Sequence, residues 1–323
     1  MPNKAYQAAS NLSLKQLHYL VTVAKTLNFT QAAKACFVTQ STLSGGIQEL
    51  ERQLGARLIE RSNKHVMLTA TGQDVATRAQ ALLGVGADLL SAVAAANDPN
   101  NATLSLGAIP TIAPFLLPNL LRSLRQESPQ LKVLLREDQT NYLLQAVDSG
   151  ELDAAIIALP MDVGRLHAWP LFDEELWLVS ATSEAATATQ APTLRSLDTH
   201  KLMLLGEGHC LRDHTIQACT TARRGHATEL SDIEATSVTT LVQMVEAGLG
   251  LSMLPTMAIK AGILNASDVV ARPFASPAPK RTVALVTRPT QVDSALLAQV
   301  RALAKNLGKP SSGGAKRSKT STT

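Results

Sequence analysis

The sequence predicts an α/β protein with a separate helical unit at its N-terminus, and three observations predict it. The chain has 323 residues and 45% apolar side chains, more than one typical domain and enough for two or three. Residues 14–54 carry apolar side chains at helical spacing, broken by two short turns. From residue 103 onward, short apolar runs alternate with helical stretches, the pattern of an α/β domain with a mostly parallel sheet. Aromatic residues are only 3% of the chain, so its cores must be aliphatic.

Residues 1–12 read as a loose tail. Leu14, Leu17, Leu20, Val21 and Val23/Ala24 give a first helix over 14–26. Leu27-Asn28-Phe29 turns the chain, and Thr30 is placed to cap a second helix over 31–36. A further turn at 37–40 leads to a third helix from Ser41 to about Leu54, which Gly55 ends. Residues 57–68 read as a short wing, closed by Thr69-Ala70-Thr71-Gly72.

Residues 73–97 form a long, alanine-rich helix weakened by Gly84 and Gly86. Its stripe Val75, Ala79, Leu82, Gly86, Leu89, Val93 steps by 4, 3, 4, 3, 4, the seam of a helix pair. Packing on the protein's own body is the alternative. Asp98-Pro99-Asn100-Asn101 is a linker. Strands are predicted over 103–109, 131–137, 154–158, 176–180, 201–205, 251–254 and 282–287, with helices over 113–126, 140–149, 211–222, 237–247 and 293–307. About 200 residues of this kind suit two small lobes with a cleft between them. The organisation expected is therefore 1–72, the winged helical unit; 73–98, a linker helix; 99–308, a two-lobed effector domain; and 309–323, a disordered basic tail.

The net charge of +4 is uneven. Residues 1–72 hold eight Lys/Arg against three Glu, and the last fifteen residues hold four cations and no acid. The body between them is therefore acidic. A basic N-terminal unit on an acidic body fits nucleic-acid binding by that unit, with a chance asymmetry of solvated surface as the alternative. No signal-peptide pattern and no apolar run near the roughly 18 residues of a membrane span are present, so a soluble, cytoplasmic protein without a membrane partner is expected.

The helix–turn–helix places Gln40, Ser41, Thr42 and Ser44 at the start of a helix that can enter the major groove, where short hydrogen-bonding side chains reach base edges or phosphates. Thr30 opens the helix before it. Arg57, Arg61, Lys64 and His65 surround the wing, placed for backbone phosphates. An ordinary three-helix bundle is the alternative. The runs Asn28-Phe-Thr-Gln-Ala-Ala-Lys34, Thr39-Gln-Ser-Thr-Leu-Ser44, Leu50-Glu-Arg-Gln-Leu-Gly-Ala-Arg-Leu-Ile-Glu-Arg61 and Leu68-Thr-Ala-Thr-Gly72 resemble the N-terminal domain of LysR-type transcriptional regulators. That resemblance implies a winged helix-turn-helix bound to double-stranded operator DNA, a dimerising linker helix, and an effector domain related to periplasmic binding proteins. It also implies a homotetramer, built as a dimer of dimers, working with RNA polymerase. Gly45-Gly46 inside the recognition helix departs from the family pattern; two glycines cost about 2 kcal/mol of helix propensity.

The segment Gly206-Glu-Gly-His-Cys-Leu-Arg-Asp-His214, with Cys219 nine positions after Cys210, holds two of only three cysteines. In a chain that needs no structural disulfide, such a pair points to redox chemistry. Cys210 opens a predicted helix beside His209, Arg212 and His214, surroundings that lower a thiol pKa. A sulfenic acid formed there can condense with a second thiol. If 211–219 is helical, the cysteines lie about 13 Å apart along the axis, while a disulfide needs Cα atoms within about 7 Å. Oxidation would then force a local refolding. Cys36, beside Ala33 and Phe37, reads as a buried small hydrophobe.

Within the LysR family, Gly107-Ala-Ile-Pro-Thr-Ile-Ala-Pro-Phe-Leu-Leu-Pro118, Gln139-Thr140, Val147-Asp-Ser-Gly-Glu-Leu-Asp153 and Gly208-His-Cys-Leu-Arg-Asp213 with Cys219 resemble the peroxide-sensing OxyR branch. The resemblance implies hydrogen peroxide as the signal, Cys210 as the reactive thiol and Cys219 as the resolving thiol. It places Thr111, Thr140, His209, Asp213 and Arg288 around the peroxide. From the residues alone, Thr111 reads equally as a helix cap and Asp213 as a first-turn acid. Asp232 and Glu234 depart from the branch and make the neighbourhood less positive. The competing readings are a LysR regulator with a small organic effector in the interlobe cleft, a thiol peroxidase or oxidoreductase, and a metal site at His209, Cys210 and His214 that lacks a fourth ligand. A regulator and not an enzyme, with no cofactor or metal, is the expectation carried forward.

Overall fold

The computed structural model describes residues 10–61, 66–97, 103–185, 190–222 and 231–308. Lys64, His65, the linker 98–101 and the tail 309–323 fall outside these residues. The N-terminal unit contains α1 (Leu14–Thr26), α2 (Phe29–Ala35) and α3 (Gln40–Leu54), followed by the antiparallel wing β1 (Ile59–Arg61) and β2 (Val66–Leu68). Leu17, Leu20, Val23, Leu43, Ile47 and Leu50 close its core. Two caps differ from expectation. Asn28, not Thr30, caps α2: its side-chain oxygen accepts from the N–H groups of Thr30 at 2.9 Å and Gln31 at 3.0 Å. Thr39 caps α3 by accepting from the Thr42 N–H at 3.2 Å, so the helix begins at Gln40 and not at Ser41. In both cases the residue with extended backbone just before the turn takes the cap. Cys36 ends α2 and is only half-buried, because it lies at the rim of this core and not inside it.

The adjacent glycines of α3 have different surroundings. A Cβ on Gly46 would sit 2.8 Å from the Tyr19 ring, so absence of a side chain lets α3 approach α1. A Cβ on Gly45 would meet nothing within 4 Å.

Helix α4 (Ala70–Asn97) begins three residues earlier than predicted. Ala76 and Ala79, with Val75 and Leu83, pack on the N-terminal core, so the first part of the predicted seam covers the protein's own body. Leu82, Leu89 and Val93 of the same stripe are exposed. Gly84 lies against the Asp148 carbonyl, where a Cβ would come to 3.2 Å. Asp88 anchors the helix to the effector domain. It accepts from Arg288 Nε at 3.0 Å and Nη2 at 2.6 Å, from Gln291 Nε2 at 2.7 Å, and from the Thr290 hydroxyl. Desolvation presses the Asp88 carboxyl upward, but the bonds from Arg288, Thr290 and Gln291 outweigh it and hold its pKa below the usual range.

The effector domain runs β3 (Thr103–Ala108), α5 (Ala113–Glu127), β4 (Lys132–Glu137), α6 (Thr140–Asp148), β5 (Ala154–Leu159), β6 (His167–Ala181), α7 (Thr182–Ala185), β7 (Leu204–Leu205), α8 (Cys210–Ala222), β8 (Glu234–Ala235), α9 (Val238–Glu246), β9 (Ser252–Pro255), α10 (Thr256–Lys260), β10 (Val269–Arg272), β11 (Lys280–Thr287) and α11 (Ala295–Leu307). It has two cores, the first around β3, β5 and α5, the second around β9, α8 and α9. The strand order β10-β6-β11-β5-β3-β4, with β9 also on β6, joins both lobes.

The expectation of a mostly parallel sheet needs correction. β3 pairs in parallel with β4 and β5, and β7 with β8, but β11 pairs antiparallel with β5 and β6, and β6 antiparallel with β9 and β10. The cause is the two-lobed plan: β6 leaves the first lobe for the second, and β11 returns. β6 therefore spans 15 residues where only its apolar C-terminal part, 176–180, was predicted. In the run 201–205, only Leu204–Leu205 is strand, since Thr199–Lys201 forms a 3₁₀ turn capped by Asp198. β10 was missed.

The glycine pair yields a contrast in sign. Gly45→Ala should stabilise the chain by up to about 1 kcal/mol through helix propensity alone. Gly46→Ala should lose that gain to displacement of Tyr19. Urea denaturation of both variants checks this.

Candidate functional site

The crevice between the lobes is built from three helix starts. The turn after β3 supplies Ile109, Pro110 and Thr111, the start of α6 supplies Gln139 and Thr140, and the start of α8 supplies Gly208, His209 and Cys210. The crevice is closed in this conformation, and its walls leave no room for even a water-sized molecule. Gln139 bridges the lobes, its amide donating to the Glu207 carbonyl at 3.2 Å. Gly208 has φ +86°, and a Cβ there would strike the Gln139 amide at 2.3 Å, so glycine is required for this closure.

Cys210 is the first residue of α8 and only 3% exposed. Burial pushes its thiol pKa up. The Arg281 guanidinium, the Thr140 hydroxyl and the Ala158 N–H oppose that rise, while Asp213 adds to it. The sequence expectation of a lowered pKa is thus not met in this conformation. His209 and His214, expected as neighbouring cations, are both pushed down by burial and are neutral near pH 7. Arg212 turns away: it donates to the Leu205 carbonyl at 3.2 Å and pairs with Glu234. Glu234 therefore neutralises a cation that never faces the thiol, and Asp232 is exposed.

The cation of this site is Arg281, which sequence reading missed. It is 1% exposed. Its Nε donates to Glu174 Oε2 at 2.9 Å, its Nη1 to the Thr111 hydroxyl at 2.8 Å and its Nη2 to the Thr111 carbonyl at 3.1 Å. Glu174 Oε1 accepts from the Met257 N–H at 2.7 Å. Thr111 is therefore no helix cap; the N-cap of α5 is Ile112, which makes no side-chain cap bond. Thr140 is fully buried, and its hydroxyl has no partner other than the thiol it favours. His214, one helical turn beyond Cys210, bonds the Pro160 carbonyl at 3.3 Å through Nε2, and its Nδ1 is buried without a partner. Asp213, in the same turn, is exposed and is not among the residues that line the crevice.

Arg288 does not belong to this crevice. It follows the far end of β11, seven residues from Arg281, a span of about 24 Å along a strand. There it bonds Asp88 and the carbonyls of Val147 and Leu152. The resemblance, which assigned Arg288 to the peroxide pocket, drew attention to the wrong end of the strand. Nothing in Pro279-Lys-Arg-Thr282 distinguishes Arg281 until β6 and β11 are paired in register.

All three cysteines are reduced thiols. Cys210 belongs to the first-lobe core and Cys219 to the second, both on the continuous helix α8. Among the described residues, no group of three or more His, Cys, Asp or Glu could hold a metal ion.

On the N-terminal unit, Gln40, Ser41 and Thr42 are exposed at the start of α3, and Ser44 is half-buried. Thr30 donates to Gln40 Oε1 at 3.0 Å, which orients that side chain and leaves its amide NH₂ outward. Thr39 bridges the hydroxyls of Ser41 at 2.9 Å and Thr42 at 2.8 Å. Arg57 is exposed beside the wing, and Arg61 ends β1.

The buried thiol has a pH signature. Alkylation of Cys210 should keep rising past the ordinary thiol pKa of about 8.5, because the folded thiol ionises later than a free one. A rate that levels off below pH 8 would contradict the crevice as described. Replacing the pair together, Arg281→Met with Glu174→Met, leaves no orphaned charge and should shift the profile further upward, since it removes the positive charge acting on the thiolate.

Comparison with known proteins agrees with this arrangement. Residues 14–73 match the family model for bacterial regulatory helix-turn-helix proteins of the lysR family, and residues 97–308 match the LysR substrate binding domain. The chain is 43% identical over 276 residues to the transcriptional regulator EstR of Acinetobacter baylyi, covering 85% of this chain and 90% of EstR. It is 36% identical over 278 residues to the DNA-binding transcriptional dual regulator OxyR of Escherichia coli K12, covering 86% and 90%. A full-length OxyR from Pseudomonas aeruginosa, with one cysteine replaced by aspartate, superposes with a TM-score of 0.72 at 34% identity, over 91% of this chain and 95% of that one. A cysteine-to-serine variant of Corynebacterium glutamicum OxyR with hydrogen peroxide bound gives 0.59 at 32% identity, over 91% and 93%. With both halves of the chain matched, a winged helix-turn-helix joined through one long helix to a two-lobed effector domain, the protein belongs to the LysR family of transcriptional regulators.

Proposed function

We propose that this regulator senses hydrogen peroxide through Cys210, with Cys219 as resolving thiol, and that the resulting disulfide changes its binding to operator DNA. The observation that carries the reading is a thiol at a helix start, closed in a crevice with Thr111, Thr140 and His209 and set beside a buried arginine. A crevice this closed must loosen to admit even an oxidant of two heavy atoms, and must open much further to admit an organic effector. The Cys210 thiolate attacks one peroxide oxygen; an S–O bond forms, the O–O bond breaks, and the departing hydroxide takes a proton to become water. The Cys219 thiolate then attacks the sulfenic sulfur; an S–S bond forms, the S–O bond breaks, and the departing hydroxide takes a proton to leave as a second water. Thr111, Thr140 and His209 line the approach, Arg281 stabilises the thiolate, and the Asp213 charge opposes it.

The separation of the two thiols makes the signal. Nine residues of α8 place them about 13 Å apart, so the helix must come apart before the sulfurs meet. Each cysteine then leaves a different lobe's core. The lobes are coupled to the DNA end through Asp88–Arg288 and the Lys25–Glu151 ion pair at 2.5 Å. The exposed Leu82, Leu89 and Val93 of α4 fit a dimer seam, and a dimer of dimers acting on operator DNA with RNA polymerase is the assembly we assign.

EstR is a different regulator from OxyR, which leaves a second reading, a LysR regulator with a small organic effector in the interlobe cleft; the tightness of the crevice weighs against it. Operator footprints of the full chain with and without peroxide separate the two. Wild type should change its footprint. Cys210→Ser should bind DNA but give no change, and Cys219→Ser should lose most of it. An intact peroxide response in Cys210→Ser would overturn the thiol reading.

A further inference from the structure

A cavity of about 570 Å³ lies in the second lobe and shares no residue with the thiol crevice. Its floor is one face of the sheet where β6 and β10 pair. Arg272 stands opposite Leu178 in that register, and Ser180 follows Leu178 by two residues, so the three side chains share the face. Helix α7 walls one side and the segment 190–198 the other. Leu178, Leu197 and Leu251, all members of the second-lobe core, make the lining aliphatic, and among the described residues it holds no aromatic ring. The volume is that of a small-molecule site.

The charges at this cavity select the ligand. Glu184, Asp198 and Arg272 border it. Glu184 is paired with Lys201 at 3.2 Å. Asp198 accepts the His200 N–H at 3.2 Å and caps the 3₁₀ turn. Arg272 is the charge left over. Among the described residues it has no ion pair, and its one hydrogen bond runs from Nη2 to the Gln190 carbonyl at 3.3 Å. The rest of its planar fork can hold a carboxylate through two parallel bonds. The Ser180 hydroxyl, on the same nearly buried strand face, can add a third donor. The two acids at the rim oppose a doubly charged anion, and the leucines offer an apolar bed without a ring to stack on. We infer that this cavity binds a medium-chain aliphatic monocarboxylate, its head on Arg272 and its chain over Leu178, Leu197 and Leu251. The segment 190–198 also holds the end of α8, where Arg195 Nε donates to the Ala222 carbonyl at 3.2 Å. The site thus adjoins the helix that carries both thiols. It goes beyond the thiol reading and does not depend on it.

Titration calorimetry and thermal melting of the full chain with octanoate, octanol and octylamine test the inference. Octanoate should bind and raise the melting temperature by about 2–3 °C at roughly ten times its Kd, with the alcohol and the amine at least tenfold weaker. Arg272→Met should retain the fold and DNA binding but weaken octanoate binding at least tenfold. Ala191→Trp, at an exposed position in the cavity wall, should weaken it as much by filling the space. Cys210→Ser should bind octanoate as the wild type does, which separates this site from the thiol chemistry. Absence of octanoate binding, unchanged binding in Arg272→Met or Ala191→Trp, or equal or tighter binding of the alcohol or the amine would overturn the inference.

Discussion

The bidentate grip of Arg281 on Thr111, with Glu174 behind it, is the constraint on which the site depends. Arg281 and Glu174 are register partners on β11 and β6, the two strands that tie the lobes together. Two opposite charges buried this deeply are tolerated only because their donors and acceptors are nearly all used: Glu174 also takes the Met257 N–H, and Arg281 also bonds the Thr111 hydroxyl and carbonyl. One ion pair thus fixes the β3–α5 turn, the start of α10 and the electrostatic field at Cys210.

The field and the burial oppose each other. Desolvation alone would leave Cys210 an inert core thiol. The helix start, Arg281, Thr140 and the Ala158 N–H recover part of that loss without exposing the sulfur to bulk solvent. A thiol so placed stays protonated toward most reagents. On the proposed reading it becomes reactive where peroxide enters and the same donors act on the developing charge. The distance to Cys219 adds a second condition, because closing the disulfide requires disorder in a helix shared by two cores. Asp88, through its bonds to Arg288, Thr290 and Gln291, ties α4 to the far end of β11, the route by which the proposed change would reach the linker helix.

Much of the fold was legible because it rests on local rules. The helices of the N-terminal unit follow apolar spacing, and Cys210 opens a helix as read from the sequence, with Cys219 on the same helix. What was not legible depends on pairings distant in sequence. Arg281 looks like any basic residue before a strand until its register with Glu174 is known. Arg288 looked equally suited to the crevice and in fact clamps α4. The antiparallel sheet follows from β6 crossing between lobes, which no local pattern announces. Thr30 lost the cap to Asn28 because both residue types can cap, and the backbone at 28 is the extended one. The lowered thiol pKa failed for the same reason: adjacency in sequence brought His209, Arg212 and His214 near Cys210, while packing left two neutral and turned the third toward Glu234.

The central claim is that Cys210 and Cys219 form a disulfide when peroxide enters the crevice. Thiol-resolved peptide mass spectrometry of the full chain, before and after a brief, near-stoichiometric peroxide pulse, tests it most directly. The account predicts rapid appearance of the Cys210–Cys219 linked peptide, with Cys36 still a free thiol. An unmodified Cys210 after the pulse, or oxidation falling first on Cys36, would contradict it.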